Sequence, residues 1–138
     1  MATVDDIRRI VALDHGLATL ATVRSDGNVH LSLVNAGVID HPVDGEPVAA
    51  LVSRQSTRKF ANLTERPTAT LQWRAGWAWV AAEGTVDVLG PGTADLPGLL
   101  RSIYTAAGGQ HEDWAEFDRV MAAEQRVAVL LRPAYGLT

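Results

Sequence analysis

A chain of 138 residues has the length of one domain, and we expect residues 1–138 to form a single one. Its apolar fraction of 47% and charged fraction of 20% are those of a folded globular protein. A formal net charge of −4 argues against nucleic acid as a partner, and the absence of cysteine excludes disulfides, thiolate catalysis and cysteine-ligated metals.

The N-terminal residues predict the compartment. They carry two acids where a secretory signal would carry bases, and no apolar run approaches the roughly 18 residues of a membrane span. A chain without cysteine also fits a reducing compartment. We therefore expect a cytoplasmic protein that has no membrane partner.

The first forty residues predict a helix and a hairpin. Thr3 is a suitable N-cap, and apolar residues at helical spacing continue to about Leu13. Leu17–Val23 and Val29–Ile39 then alternate as strands. The Asp-Gly turn within Ser25–Asn28 supplies the positive φ that a hairpin needs, so we expect the two strands to pair antiparallel.

The middle of the chain predicts three more strands. Val48–Val52 is short and wholly apolar, and the basic segment Ser53–Glu65 after it should include a short helix from about Thr57. Thr68–Trp73 and Trp77–Leu89 read as a second hairpin, joined by a tight turn at residues 74–76.

The last third predicts two helices and a sixth strand. Asp95–Ala107 has an apolar stripe, and apolar residues at helical spacing mark another helix over residues 114–121. Arg126–Arg132 reads as a strand that Pro133 ends. Six strands with three or four short helices predict a mainly β fold, a small antiparallel barrel with helical covers.

Several kinds of catalytic site have no motif in this sequence. There is no dinucleotide-binding fingerprint, no Walker A motif and no nucleophile elbow. The four histidines lack the spacing of a metal-binding helix, so we expect no metal site and expect each to be a surface or loop residue. They are His15, His30, His41 and His111.

The basic segment Ser53–Asn62 is the strongest candidate for a binding site. It holds Arg58 beside Lys59, the only lysine of the chain, and Arg54 lies just upstream. Cations and hydroxyls where a strand gives way to a helix N-terminus suit a phosphate. The same residues are also compatible with a solvated turn that merely caps the helix.

Three tryptophans surround the second hairpin. Trp77 and Trp79 have the period-two spacing of one strand face, and Trp73 precedes the turn. Indole rings offer flat surfaces for an aromatic ligand or a subunit interface. The alternative is that these tryptophans simply pack in the barrel core.

Taken in order, these segments resemble the flavin/deazaflavin oxidoreductases of the split β-barrel superfamily, the pyridoxamine 5'-phosphate oxidase-like group. The resemblance begins with the Leu-Ala-Thr-Leu strand and Asp-Gly turn of residues 17–30 and is densest over residues 56–63. Residues 77–84 resemble a further family strand. Residues 104–109 and 120–124 are similar to the subgroup assigned to the deazaflavin coenzyme F420.

This resemblance implies a six-stranded antiparallel split β-barrel that forms a homodimer, with cofactor grooves at the subunit interface. It implies that the basic segment holds phosphate, that the second strand lies against the flat ring, and that a tryptophan of the partner covers the ring. The cofactor-binding residues expected on this basis are Ser32, Val34, Asn35, Ala36, Arg54, Ser56, Thr57, Arg58, Lys59, Asn62, Trp77 and Trp79.

The function implied first is hydride transfer from reduced F420 to a small conjugated or aromatic substrate. The cofactor supplies the hard chemistry, so no acid–base residue is obligatory and none is assigned. An FMN-binding oxidoreductase of the same fold is the alternative, and a non-catalytic flavin- or haem-binding protein is a third. Residues 132–138 lack the Arg and His motif of the true pyridoxamine-phosphate oxidases, so vitamin B6 oxidation is not expected.

Overall fold

The computed structural model describes residues 2–138, which form four helices and six strands. The elements, in chain order, are α1 (Val4–Leu13), β1 (Leu17–Val23), β2 (Val29–Asp40), β3 (Pro47–Arg54), α2 (Arg58–Glu65), β4 (Thr68–Ala75), β5 (Ala78–Leu89), α3 (Leu96–Ala106), α4 (Trp114–Ala123) and β6 (Arg126–Leu137).

The six strands close into an antiparallel barrel in the order β1-β2-β3-β6-β5-β4. The first hairpin is confirmed, with Gly27 at its turn at a φ of 87°. The α1 helix is confirmed as well, because the Thr3 hydroxyl and the Asp6 carboxylate form a reciprocal capping box. The mainly β prediction and the six-stranded barrel are therefore correct.

Strand β2 changes its partner half-way along. Up to Asn35 it pairs with β1, and from Ala36 onward it pairs with β3. Within residues 2–138, the first half of β2 pairs with β1 alone, so the barrel wall is split there. Ala36 is fixed at this point because its N–H donates to the Gly16 carbonyl and its carbonyl accepts from Trp73 Nε1, each at 2.9 Å.

The apolar core lies in two clusters on opposite sides of the barrel wall. The barrel interior holds the alternate residues of the strands, with Trp73 and Leu71 fully buried, and α1 covers it with Ile7 and Ile10. Helices α3 and α4 bury a second cluster against the outer face of β3 and β6. The two helices therefore stand outside the barrel, next to the split in its wall.

Two glycines let α3 reach the backbone of the barrel. A Cβ on Gly37 would lie 2.3 Å from the carbonyl oxygen of Ala106, and one on Gly16 would lie 2.5 Å from that of Ala107. Real Cβ atoms do not come this close, so both positions require glycine. The C-terminal end of α3 is thereby held against β2 at the point where the strand changes partner.

One histidine is a buried structural residue. His41 lies in a loop, as expected, but its side chain is only 3% exposed rather than on the surface. Its Nδ1 accepts the N–H of Val43 at 3.1 Å, and its Nε2 lies 3.0 Å from a carboxylate oxygen of Asp87. Arg132 donates to the same oxygen at 2.9 Å. The loop after β2 is thus tied to β5 and β6, and this contact overrides the general preference of histidine for the surface.

Two strand boundaries were predicted wrongly. Strand β6 does not end at Pro133 but continues to Leu137. The register between β5 and β6 shifts around Gly84, and a proline fits such an irregularity because no ladder hydrogen bond is required of it there. Strand β4 runs on to Ala75, so the turn is Gly76 and Trp77 rather than residues 74–76.

The close approach at Gly37 generates a stability prediction. Gly37→Ala should lower the free energy of unfolding by about 1–3 kcal/mol, because the new methyl group must displace a backbone carbonyl. Urea denaturation measures this change. Gly90→Ala is the matched control, since a Cβ there would meet side-chain atoms rather than backbone, Val127 Cγ1 at 3.1 Å and Gln55 Nε2 at 4.0 Å. Equal losses in the two variants would contradict the role given to Gly37.

Candidate functional site

A groove of about 640 Å³ opens where the barrel wall is split. One wall is the free edge of β2 with the end of β3, and the other is formed by α3 and α4. Both walls contribute large apolar side chains to the lining: Leu33, Val34, Val52, Ile103, Phe117, Val120 and Met121. A slot with apolar walls on two sides suits a flat ring.

Two cations line this groove, and a third lies beside them. Lys59 and Arg126 line it, and Arg54 lies opposite Arg126 in the pairing of β3 with β6. Glu124 is paired with Arg54 and lies 3.7 Å from Arg126. The Nε of Arg126 is buried and has no hydrogen-bond partner within residues 2–138. We call Arg54, Lys59 and Arg126 the cationic cluster; its three charges face one carboxylate.

The cationic cluster changes the titration of its lysine. Partial burial, followed by the charges of Arg126 and Arg54, holds the pKa of Lys59 below its ordinary value. The ammonium group is therefore poorly solvated and repelled by its neighbours. A bound anion would relieve both effects.

The hydroxyls of the basic segment build the turn. Thr57 Oγ1 accepts the N–H of Phe60 at 3.3 Å as the N-cap of α2 and donates to the carbonyl of Arg54 at 3.0 Å. Ser53 Oγ donates to that same carbonyl at 3.1 Å. The capping alternative is thus correct for Thr57, while Lys59, in the first turn of α2, lines the groove.

The predicted cofactor-binding residues fall into two sets. Val34, Asn35 and Lys59 line the groove, and the Asn35 side chain donates to the carbonyl of His15 at 2.8 Å. The structure does not bring the remaining predicted residues to its lining, so their contact with a cofactor stays a prediction. They are Ser32, Ala36, Arg54, Ser56, Thr57, Arg58, Asn62, Trp77 and Trp79.

Two of these residues have structural roles inside the protein. Ala36 is fully buried, with both backbone groups engaged. Asn62 is 3% exposed, and its amide donates to Thr22 Oγ1 at 3.0 Å. Ser32 Oγ, by contrast, is buried without a partner among residues 2–138 and keeps its hydrogen bond available.

The three tryptophans do not act together. Trp73 is barrel core, Trp79 is 50% exposed on the outer face of β5, and Trp77 is wholly exposed in the turn. The expectation that Trp77 and Trp79 share a strand face was wrong, because the turn comes later than the sequence suggested. The core alternative holds for Trp73 alone.

Sequence reasoning missed several groove residues. Arg126 reaches the cationic cluster only through the pairing of strands that lie seventy residues apart in the chain, a contact that no local signal reports. Tyr104, His111 and Phe117 form an aromatic group on the α3–α4 wall, with Glu116 beside it. The helical spacing of Tyr104 and Phe117 predicts core-facing residues, and His111 is predicted to be a surface or loop residue, so the sequence does not indicate that the three meet.

A match to a family sequence model shows which family the chain belongs to. The sequence model of the family described as pyridoxamine 5'-phosphate oxidase matches residues 4–137. The chain belongs to this family. The family resemblance that the sequence motifs indicated is therefore confirmed.

Solved structures with the same fold include proteins with three different ligands in their names. A protein named F420 reductase is 17% identical, with a TM-score of 0.63 and 93% of each chain covered. HutZ, the haem storage protein of Vibrio cholerae, is 14% identical over 100% of this chain and 94% of its own, with a TM-score of 0.62. An FMN-binding, pyridoxamine 5'-phosphate oxidase-related protein of Nostoc punctiforme is 12% identical over 94% and 77%, with a TM-score of 0.59. At these identities the likeness is one of fold.

Residues 2–138 contain neither a membrane-spanning helix nor a cluster of metal ligands. None of the helices there is both long and apolar enough to cross a bilayer. In the same part of the chain, no group of three or more histidine, aspartate or glutamate side chains is placed to hold a metal ion.

The lowered pKa of Lys59 predicts how stability depends on pH. Between the lowered pKa and the ordinary value of 10.5, the unfolded chain holds a proton that the folded chain has lost, so stability rises with pH there. Lys59→Met should therefore stabilise the ligand-free protein at neutral pH, and this gain should fade as pH approaches 10.5. Thermal melts across pH measure it. Arg58→Met, at an exposed neighbour, should show no such trend; a loss of stability in Lys59→Met would contradict the prediction.

Proposed function

We propose that this protein binds coenzyme F420 in the groove and transfers hydride from its reduced form to a small conjugated or aromatic substrate. The observation that carries the proposal is a groove with apolar residues on both walls that is also lined by Lys59 and Arg126, in a chain that is acidic overall. A planar ring with an anionic chain attached has a matching apolar part and a matching charged part.

The cationic cluster supports an anion at this position. A buried donor left without a partner costs about 1–3 kcal/mol, and Arg126 Nε is such a donor. A phosphate oxygen would accept from it and from Lys59, with the strength of charge-assisted hydrogen bonds. Lys59 and Arg126 are therefore the residues that would hold the phosphate.

The extent of the positive charge favours F420 over FMN. The single phosphate of FMN needs no more than Lys59 and Arg126. The glutamyl tail of F420 is longer and anionic, and it needs a basic path out of the groove. Arg54, whose side chain is 51% exposed, and the exposed Arg58 offer such a path next to the phosphate position.

The rest of the groove positions the ring and keeps water away from it. Reduced F420, when bound, supplies a hydride. Leu33 and Val52 on one wall and Phe117 and Val120 on the other keep water from the ring, which strengthens polar contacts made inside. Substrate would bind in the remaining part of the slot.

A second candidate function is haem binding. His15 and His111 both line the groove, and imidazole is a common axial ligand of haem iron. The apolar walls suit a porphyrin as well as a deazaflavin. Titration with haem separates the two functions.

We also propose that a second copy of the chain completes the groove. Along the outer face of β2, Val29, Leu31 and Leu33 are 57%, 63% and 72% exposed. An apolar face of this kind on a small protein typically marks an interface. Leu33 belongs to both the face and the groove, so a partner that covered the face would also close the groove.

Cofactor titration tests the proposed function. F420 should bind more tightly than FMN or haem, and Lys59→Ala or Arg126→Ala should raise the dissociation constant for F420 about ten- to a hundredfold. Arg58→Ala should have a smaller effect because Arg58 does not line the groove. Arg24→Ala, in the first hairpin turn, is the control. Stoichiometric FMN or haem binding without measurable F420 affinity would contradict the proposal.

Sedimentation tests whether two copies of the chain associate. The wild type should sediment at about twice 14.8 kDa, and Leu31→Glu should give the single mass because a buried carboxylate opposes association. Val43→Glu is the matched control, since Val43 is an exposed apolar residue in a loop away from this face. A wild type that stays at the single mass at micromolar concentration would refute the dimer.

A further inference from the structure

We infer that Lys59 is a site of acylation by acyl phosphates, whose phosphate group Arg54 and Arg126 hold while the lysine amine attacks the neighbouring carbonyl carbon. The inference goes beyond the proposed function and does not depend on which cofactor the groove binds. It is carried by the position of the chain's single lysine, which lies in the wall of a cavity next to two guanidinium groups.

Lys59 can be reached from the groove and is not tied to a carboxylate. It lies half-buried in the first turn of α2 and lines the groove. None of the ion pairs formed among residues 2–138 includes it. Glu124, the carboxylate beside the cationic cluster, is paired with Arg54 and lies 3.7 Å from Arg126. The amine is therefore available to a ligand that enters the groove.

The amine of Lys59 is more reactive than that of an ordinary surface lysine. Only the neutral amine attacks an electrophile, because the ammonium ion has no free electron pair. Partial burial, and then the charges of Arg126 and Arg54, hold the pKa of Lys59 below its ordinary value. A larger fraction of this amine is therefore neutral at physiological pH.

The two arginines supply the binding site for the phosphate. Arg54 and Arg126 are opposite each other in the pairing of β3 with β6. The Nε of Arg126 is buried and has no hydrogen-bond partner among residues 2–138. Guanidinium groups donate in a fixed geometry that matches phosphate oxygens. Because these two groups hold the anion, Lys59 need not be protonated to bind it.

The separation between the reactive carbon and the charge selects acyl phosphates. In an acyl phosphate, a single oxygen atom joins the carbonyl carbon to the phosphorus. Lys59 and Arg126 both line the groove, and the charge of Arg126 is close enough to lower the pKa of Lys59. A phosphate held by Arg126 thus brings the carbonyl carbon near the amine. In thioester coenzymes many bonds separate the reactive carbon from the phosphates, so the same contact would not position it.

The acylation step releases the phosphate that guides it. The lone pair on Lys59 Nζ attacks the carbonyl carbon, and a carbon–nitrogen bond forms. The bond from this carbon to the phosphate oxygen then breaks, and its electron pair leaves with the phosphate. One proton of the amine passes to the departing phosphate, so the products are Nε-acyl-Lys59 and inorganic phosphate. The guanidinium of Arg126 stabilises the negative charge that grows on the phosphate as the bond breaks.

Acylation removes one of the three charges of the cationic cluster. An amide is neutral, so Arg54 and Arg126 alone would face Glu124. The acyl group also adds bulk to a residue that lines the groove. The modified protein therefore binds anionic ligands of the groove more weakly, which couples occupancy of the groove to the concentration of acyl phosphate.

The test measures acetylation of the cofactor-free protein by mass spectrometry, with acetyl phosphate as the probe. Lys59 is the only lysine, so peptide mapping separates its acetylation from that of the α-amino group. A neutral acyl donor, p-nitrophenyl acetate, reports the intrinsic reactivity of the same amine. The ratio of the two acetylation rates at Lys59 isolates the contribution of phosphate binding.

The variants change this ratio in a defined way. In Arg126→Gln the rate with acetyl phosphate, relative to the neutral donor, should fall about tenfold because a charge-assisted hydrogen bond to the phosphate is lost. Arg24→Gln is the matched control, since it removes the same charge from an exposed residue that does not line the groove, and it should leave the ratio unchanged. In the wild type, inorganic phosphate should slow acetylation by acetyl phosphate.

Three outcomes would overturn the inference: an unchanged ratio in Arg126→Gln, an equal fall in Arg24→Gln, or acetylation by acetyl phosphate that inorganic phosphate does not slow. Thermal melts show whether each variant is folded. The competition by inorganic phosphate uses the wild type alone, so it decides the matter if Arg126→Gln does not fold.

Coenzyme F420 separates the acylation from the proposed function. If its phosphate occupies the cationic cluster, F420 in excess should protect Lys59 from both acyl donors. A wild type that F420 does not protect, yet whose ratio of rates depends on Arg126, would refute the proposed function and support the acylation site.

Discussion

The change of partner along β2 is the constraint on which the rest of this structure depends. A strand that paired with both of its neighbours along its whole length would leave no opening in the barrel wall. Here the pairing passes from β1 to β3 between Asn35 and Ala36, and the hydrogen bonds of Gly16 and Trp73 fix that point from both sides. The groove lies at this opening, so its position follows from backbone pairing before any side chain is considered.

The helical wall of the groove depends on the same point. Helix α3 ends against Gly16 and Gly37, which adjoin the partner change in the barrel. The loop after α3 then carries His111, the middle member of the aromatic group, and α4 leads on to Arg126 of the cationic cluster. Distances between groove residues from different elements are therefore set by one rigid contact between a helix end and a strand backbone. This arrangement gives a small protein the fixed site geometry that binding requires.

The sequence was informative wherever a local rule decides the structure. The Thr3 N-cap, the Asp-Gly turn before Asn28 and the strand alternation all predicted elements that the structure contains. It was uninformative where distant segments meet. Arg126 joins Arg54 only in the folded sheet, and Pro133 stays in a strand because the register shifts beside it. The strand-to-helix segment was found for its charge, yet only Lys59 of that segment lines the groove.

Glu124 has a consequence for how selective the groove can be. Its carboxylate already accepts from Arg54 and lies near Arg126, so the resting protein carries its own competitor for those guanidiniums. An anion that binds these two guanidiniums must therefore replace contacts that Glu124 already makes with them. The net free energy of anion binding is the difference between the energies of the new ion pairs and of those that they replace. A monovalent anion gains little from such an exchange, whereas an oligoanion that reaches several cations at once gains at each of them.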